Sequence, residues 1–281
     1  MLIRGKQLLL LAVVTVSVLA GCNPLGFFTK RGMMAVSGRP DKGLVIVLPG
    51  IEGHSSLNEA ICRGLSEGGV QYKIELYDWT SLLGPVANQR AEGRNRGKAS
   101  DVAASIVHYK TAYPGRPVFL VGQSGGGAMV AWIAEALPRR EQVDGIIMLS
   151  PSLSPQYILD VALRQSRQGI VNFYSSRDWL LLGIGTTFVG TMDGEHTSSA
   201  GRSGFEKPPL LRRSSAYDRL YQISWLPQMA QSGNTGGHMG SGTSSFVATY
   251  VAPLILATEW NSQVIDDIVK ANAPPTATNA R

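Results

Sequence analysis

The sequence predicts an α/β fold, a mostly parallel central sheet with helices on both faces. Three observations predict it. The apolar runs GLVIVLPG (residues 43–50), PVFLVG (117–122) and VDGIIMLSP (143–151) are continuous rather than alternating, as strands buried on both faces must be. Each is followed by a segment with helical spacing. Glycine or proline punctuates most junctions. Strands that alternate with helices pair in parallel, and ligands then bind at the carboxyl ends of the strands.

The elements follow in order. After the strand at 43–50, SSLNEAICRGLSEGG reads as a helix: Ser55 or Ser56 can cap it, Leu57, Ile61 and Leu65 share a face, and Gly68-Gly69 ends it. YKIELYDW (72–79) is a strand. SDVAASIVHYKTAYPG is a helix stopped by Pro114-Gly115, and GGAMVAWIAEAL is the helix after the PVFLVG strand. Beyond residue 151, PQYILDVALRQSRQG reads as a helix and IVNFYSSRD (170–178) as a strand. RLYQISWLP (219–227) is the last strand, and TSSFVATYVAPLILATEW a final helix bent at Pro253. The domain is expected over 43–270, with a disordered tail at 271–281 rich in Pro, Ala, Thr and Asn. The interval between the last two internal strands before Asp178 holds one helix, so no large cap domain is expected.

The leading residues are a separate matter. Arg4 and Lys6 precede an apolar run from Leu8 to Ala20, too short for a comfortable membrane span and of secretory-signal length. LAGC (19–22) resembles the lipobox of bacterial lipoproteins. That resemblance implies a signal peptide at 1–21, lipid on the Cys22 thiol and a protein held in the cell envelope by a membrane anchor; residues 22–42, which lack periodicity, read as a tether and an entry strand. Asn23 is not the aspartate that often retains such proteins at an inner membrane, so an outer membrane is slightly favoured. The chain has only two cysteines, so with Cys22 lipidated Cys62 lacks an intrachain partner and reads as a small core residue.

The 281-residue chain is 44% hydrophobic, 16% charged and formally +6, and two of the positives lie in the presumed signal. Its basic residues are scattered without interleaved aromatics, which argues against nucleic acid as a partner.

Gly122-Gln123-Ser124-Gly125-Gly126 fits G-x-S-x-G at a strand-to-helix junction. A nucleophile elbow strains the serine backbone, and side chains two residues to either side would collide with the adjoining strand and helix, so glycine is favoured there. With this motif in this element order, the chain from about Leu44 to Trp260 resembles the α/β-hydrolase superfamily. The resemblance implies Ser124 as nucleophile. It places the base in the loop after the last strand, where NTGGHMG supplies His238, and the acid after the penultimate strand, where Asp178 stands. Asp193 is the alternative acid. His54, His108 and His196 fall elsewhere.

The resemblance also implies an oxyanion hole. The Gly125 N–H is one donor, and the loop LPGIEGHS (48–55) supplies the second, from Ile51 or, as the alternative, Gly50. Proline stands there in place of the histidine of many lipases and esterases. His196, in DGEH with Asp193 and Glu195, has no second histidine at ligand spacing, so no metal is expected, and no organic cofactor is needed.

The implied activity is a serine hydrolase that cleaves a carboxylic ester of a small molecule or lipid through an acyl-enzyme. The alternatives are an amidase or peptidase with the same triad, and a non-catalytic envelope lipoprotein using the fold as a binding scaffold. Segment 180–215 lies between acid and base in sequence, and either borders the site or packs as a surface insertion.

Overall fold

The computed structural model describes residues 32–178, 190–211 and 214–271. Its sheet begins with β1 (Gly32–Ser37) and β2 (Arg39–Leu48). Then come α1 (Ser56–Glu67), β3 (Tyr72–Asp78), α2 (Pro85–Arg90), α3 (Glu92–Ala112), β4 (Val118–Gln123), α4 (Gly125–Ala136) and β5 (Gly145–Leu149). The second half holds α5 (Asp160–Arg164), β6 (Ile170–Tyr174), α6 (Ala200–Ser203), β7 (Leu220–Ser224), a broken helix from Ser244, and a terminal helix at Ser262–Ala271. The seven strands lie in the order β1-β3-β2-β4-β5-β6-β7. Only β1 is antiparallel to its neighbour, and the other pairings are parallel.

The continuous apolar runs have their expected cause. Leu44, Ile46 and Leu48 of β2 pack into one core with α3, α4 and α5, while Val45 and Val47 pack into a second with α1 and the C-terminal helices. Residues 44–48 are at most 2% exposed. Burying one such side chain stabilises the fold by about 1.5–3 kcal/mol, so both faces of the strand contribute. Cys62 is fully buried and unpaired, and burial pushes its thiol up to about 12. It is an inert core residue.

Several elements differ from the sequence reading: the helix expected to be final is followed by another at Ser262–Ala271, and α2 stands where no element was expected. The entry strand expected in the tether segment is β1, and through its pairing with β3 the sheet starts at Gly32 rather than at 43. α3 begins two turns early, at Glu92. Its first turns have no apolar stripe; Arg96 holds them through Glu92 at 2.8 Å and Glu135 at 3.0 Å, and the buried Asn95 donates to the Asn88 carbonyl. α5 keeps only five of the expected residues, since tertiary hydrogen bonds claim both ends: Leu159 N–H donates to the Tyr217 hydroxyl, and the Gln165 carboxamide to the Leu137 carbonyl. The helix bent at Pro253 is α over Ser244–Phe246, π over Val247–Val251 and α again over Ala252–Leu256. Proline brings no N–H to the ladder, and the wider π turn just before it absorbs the defect. Among the described residues, the span between β5 and β6 carries only α5, and no helix is long and apolar enough to cross a membrane. Cys22, the segment expected to be a signal peptide and residues 272–281 lie outside the described residues.

Candidate active site

The β4–α4 junction holds Ser124 at φ 54°, ψ −118°, a conformation that L residues rarely adopt. Three backbone bonds fix it. Ser124 N–H donates to the Leu149 carbonyl of β5, and its own carbonyl accepts from the N–H groups of Ser152 and Gly127. The flanking glycines are a steric requirement. A Cβ on Gly126 would run into the Leu48 carbonyl, and one on Gly122 into the Gly126 carbonyl. Both obstacles are backbone atoms, which cannot swing aside.

Ser124 Oγ lies 2.8 Å from His238 Nε2, and His238 Nδ1 lies 3.0 Å from each carboxylate oxygen of Asp178. The His238 side chain is 9% exposed and that of Asp178 is 1%. The three positions thus meet from segments 54 and 60 residues apart. Asp178 stands four residues beyond β6 rather than at its end. The turn that aims it closes through Asp178 N–H to the Ser175 carbonyl at 2.8 Å. His238 is carried by a loop shaped at Asn234: the Asn234 side chain accepts from Gly236 N–H, and its carbonyl accepts from the Trp225 indole at 2.7 Å. A carboxylate on Nδ1 favours the tautomer that leaves Nε2 free to take the serine proton, and stabilises the imidazolium that results.

The other titratable residues are occupied elsewhere. Asp193 accepts from the Ser154 N–H and hydroxyl at 3.0 and 2.6 Å and so braces a loop. Asp78 accepts from the N–H and hydroxyl of Thr80. His54 pairs with Glu59 at 2.9 Å, and His108 and His196 are exposed. No group of three His, Cys, Asp or Glu side chains with metal-binding geometry occurs among the described residues.

The loop after β2 meets the elbow at Gly125. Gly125 is the first residue of α4, where an N–H has no intrahelical acceptor. Ile51 N lies 3.3 Å from where a Cβ on Gly125 would stand. The peptide that carries the Ile51 N–H is held within the loop, where Gly53 N–H donates to the Gly50 carbonyl at 3.1 Å, and the peptides on either side of it are held from outside. Asn88 Nδ2 donates to the Ile51 carbonyl at 3.0 Å, and the buried Trp79 indole donates to the Pro49 carbonyl at 2.8 Å. Neither residue shows its role in the sequence, since both act across more than 29 positions.

Two further polar side chains sit at this junction. Glu52 is partly buried, but its carboxyl folds back over Gly50 and loses water there. That desolvation raises its pKa, against the opposing pull of hydrogen bonds and of nearby His238. Gln123 is 1% exposed, its Oε1 lies 3.0 Å from the position of a Cβ on the same Gly50, and neither atom of its carboxamide has a partner.

Of segment 180–215, residues 190–206 lie along the carboxyl ends of β5 and β6. Ser175 N–H donates to the Gly201 carbonyl, Gly201 N–H to that of Pro151 and Met192 N–H to that of Ser152. This stretch borders the strand ends that carry the site, and residues 179–189 lie outside the described residues.

Comparison with known proteins agrees with this architecture. A family model described as serine aminopeptidase, S33, matches residues 39–177, which include the elbow and stop one residue before Asp178. No curated protein sequence matches the chain. Among solved structures, lipase B of Aspergillus fumigatus aligns with a TM-score of 0.55 at 13% identity, covering 87% of this chain and 61% of that one, so the chain spans less than two thirds of that lipase. Est1E of Butyrivibrio proteoclasticus, in a structure with bound ferulic acid, aligns at 0.47 and 13% identity, covering 80% of this chain and 94% of that one. A dienelactone hydrolase of Anabaena variabilis gives 0.47 and 13%, with 80% and 90% covered. In its sheet order, its elbow and its likeness to that lipase, the chain has the α/β-hydrolase fold.

Proposed function

We propose that the chain is a serine hydrolase that cleaves a carboxylic ester through an acyl-enzyme. The contact of Ser124 Oγ with His238 Nε2 at 2.8 Å, continued to Asp178, carries the reading. A serine hydroxyl is a weak nucleophile at neutral pH, and a neutral imidazole in hydrogen-bond reach is what activates it. Ser124 Oγ attacks the ester carbonyl as its proton passes to His238. The oxyanion meets the N–H groups of Gly125 and Ile51. His238 then returns the proton to the leaving alkoxide. In the second half, His238 takes a proton from water, the resulting hydroxide attacks the acyl-Ser124, and the acid leaves as Ser124 regains its proton. No step in this scheme draws on a metal or an organic cofactor.

The matched family's name makes an amidase or peptidase the second reading. An aminopeptidase must hold a free ammonium against an ionised carboxylate. Burial raises the pKa of Glu52, the carboxyl folded over Gly50, and so works against an ionised carboxylate there. The third reading, a non-catalytic scaffold, gives no reason for a serine held at φ 54° against an imidazole. We also propose that the protein is exported and anchored in the cell envelope by lipid on Cys22.

An activity probe of the fluorophosphonate class tests the reading. The native chain should label, and Ser124→Ala and His238→Ala should not. On a good ester, Ser124→Ala should cost on the order of 10⁴-fold or more in kcat. Matched esters and amides of graded acyl length then separate esterase from amidase. A folded native chain that fails to label would sink the enzyme reading.

A further inference from the structure

We infer that the turn at Leu82-Leu83, with Val86 beside it, is a membrane-docking surface that lays the mouth of the active site against a lipid bilayer. Leu82 and Leu83 occupy the tip of the turn between β3 and α2, closed by Gly84 N–H to the Ser81 carbonyl at 3.5 Å. They are 68% and 82% exposed, and Val86, in the first turn of α2, is 53% exposed. Surface turns favour Gly, Asn, Asp, Ser and Pro. Two leucines at the tip gain nothing from folding, because water touches them in the folded chain as in the unfolded one. An isolated exposed leucine is ordinary, whereas three large apolar side chains within five residues, on one projection, form a patch.

The patch is part of the rim of the site. Its loop begins at Trp79, whose ring lies against Gly125, and ends at Asn88, which holds the Ile51 carbonyl. Ser81 N–H and hydroxyl both donate to the Asn88 side chain, so the projecting turn is braced at its base.

The start of the described chain identifies the occupant. β1 runs antiparallel to β3 with Gly32 paired to Asp78, so the chain enters the fold one residue away from this loop. Cys22 lies ten residues before Gly32, a reach of at most about 35 Å. A lipid on Cys22 would therefore hold the bilayer on the side of the molecule that carries Leu82, Leu83 and the catalytic serine. The charges agree: Lys30 and Arg31 directly precede Gly32, and exposed Arg90 stands one helical turn from Val86, which suits anionic headgroups. The orientation rests on the proposed anchor. The apolar turn stands on its own geometry.

The test uses the full chain carrying Leu83→Cys labelled with an environment-sensitive nitrobenzoxadiazole group, on vesicles of phosphatidylcholine and phosphatidylglycerol. The parent chain, treated identically, corrects for any label on Cys22. The expected result is a blue shift with quenching by a lipid-borne quencher, and neither effect for a label at Ser105→Cys on α3. A label at position 83 that stays in water would overturn the proposal, as would an equal response at both positions. A second readout is the variant with Leu82→Asp and Leu83→Asp. Its turnover of a long-chain ester embedded in the vesicles should fall at least about tenfold, with turnover of a soluble short-chain ester unchanged. An equal loss on both substrates, or none on either, also overturns docking. If neither ester is cleaved by the parent chain, the ester reading fails while the label still reports insertion. The mass of the mature chain reports the lipid on Cys22 separately.

Discussion

The elbow and the loop proposed to supply the second oxyanion donor meet within a few ångströms, yet they are built by opposite means. The elbow is held by exclusion: Gly122 and Gly126 leave no room for a side chain, and the obstacles are backbone carbonyls. The loop at 48–55 is held by attachment, through Asn88 on the Ile51 carbonyl and Trp79 on the Pro49 carbonyl. Exclusion is local and leaves a residue-type signature. Attachment is distant and leaves none. The two should therefore break differently. The elbow should fail as a whole, whereas the loop should loosen by degrees.

The largest effect is expected at the elbow. Gly126→Val puts a branched side chain into the Leu48 backbone, and overpacking of this kind costs about 1–3 kcal/mol even where neighbours can move. Here they cannot, so the urea midpoint should fall sharply, and probe labelling of Ser124 should fall with it. A variant of normal stability and normal labelling would show that the elbow has slack the geometry does not display.

Asn88→Ala should act in between. It leaves Ser124, His238 and Asp178 in contact but frees the Ile51–Glu52 peptide, the neighbour of the one that carries the Ile51 N–H, to rotate. Losing one oxyanion donor costs about 10²–10³ in kcat, and a donor that is merely unfixed should cost less, about tenfold to a hundredfold. The split should fall on kcat with KM little changed, and Asn88→Asp, which keeps an acceptor but loses the donor, should not restore the rate. Equal losses in folding midpoint and kcat would reduce Asn88 to a structural prop.

The same division explains what could be read from the sequence. The parallel sheet was legible because burial on both faces demands continuous apolar runs, and the elbow because its glycines are obligatory. Positions for an acid and a base were implied by the resemblance to the α/β-hydrolases, and the structure brings Asp178 and His238 to Ser124. The early start of α3 was not legible, since Arg96 and Asn95 hold it by polar contacts rather than by an apolar stripe. Nor were β1's pairing with β3, the shortening of α5 or the π turn before Pro253, each fixed by partners far along the chain or by backbone geometry. Glu52, Asn88 and Trp79 belong to the same class. Each is one ordinary residue whose task is assigned by what folds against it.

The smallest effect, and the one that best sharpens the comparison, concerns Glu52. Desolvation over Gly50 raises its carboxyl above the ordinary carboxylate range. Below the unfolded pKa both states hold the proton, and Glu52 adds no pH dependence. Between the unfolded value and the raised folded one, the folded chain binds more proton than the unfolded chain, so stability falls as pH rises through that window. Glu52→Gln carries no ionisable group and keeps a polar side chain near Gln123. It should match the parent in acid and become the more stable of the two as pH rises, a difference visible in paired Tm measurements across pH. A gap of constant size would mean that the carboxyl ionises as if in water, and that the loop is attached to the elbow by Asn88 and Trp79 without help from Glu52.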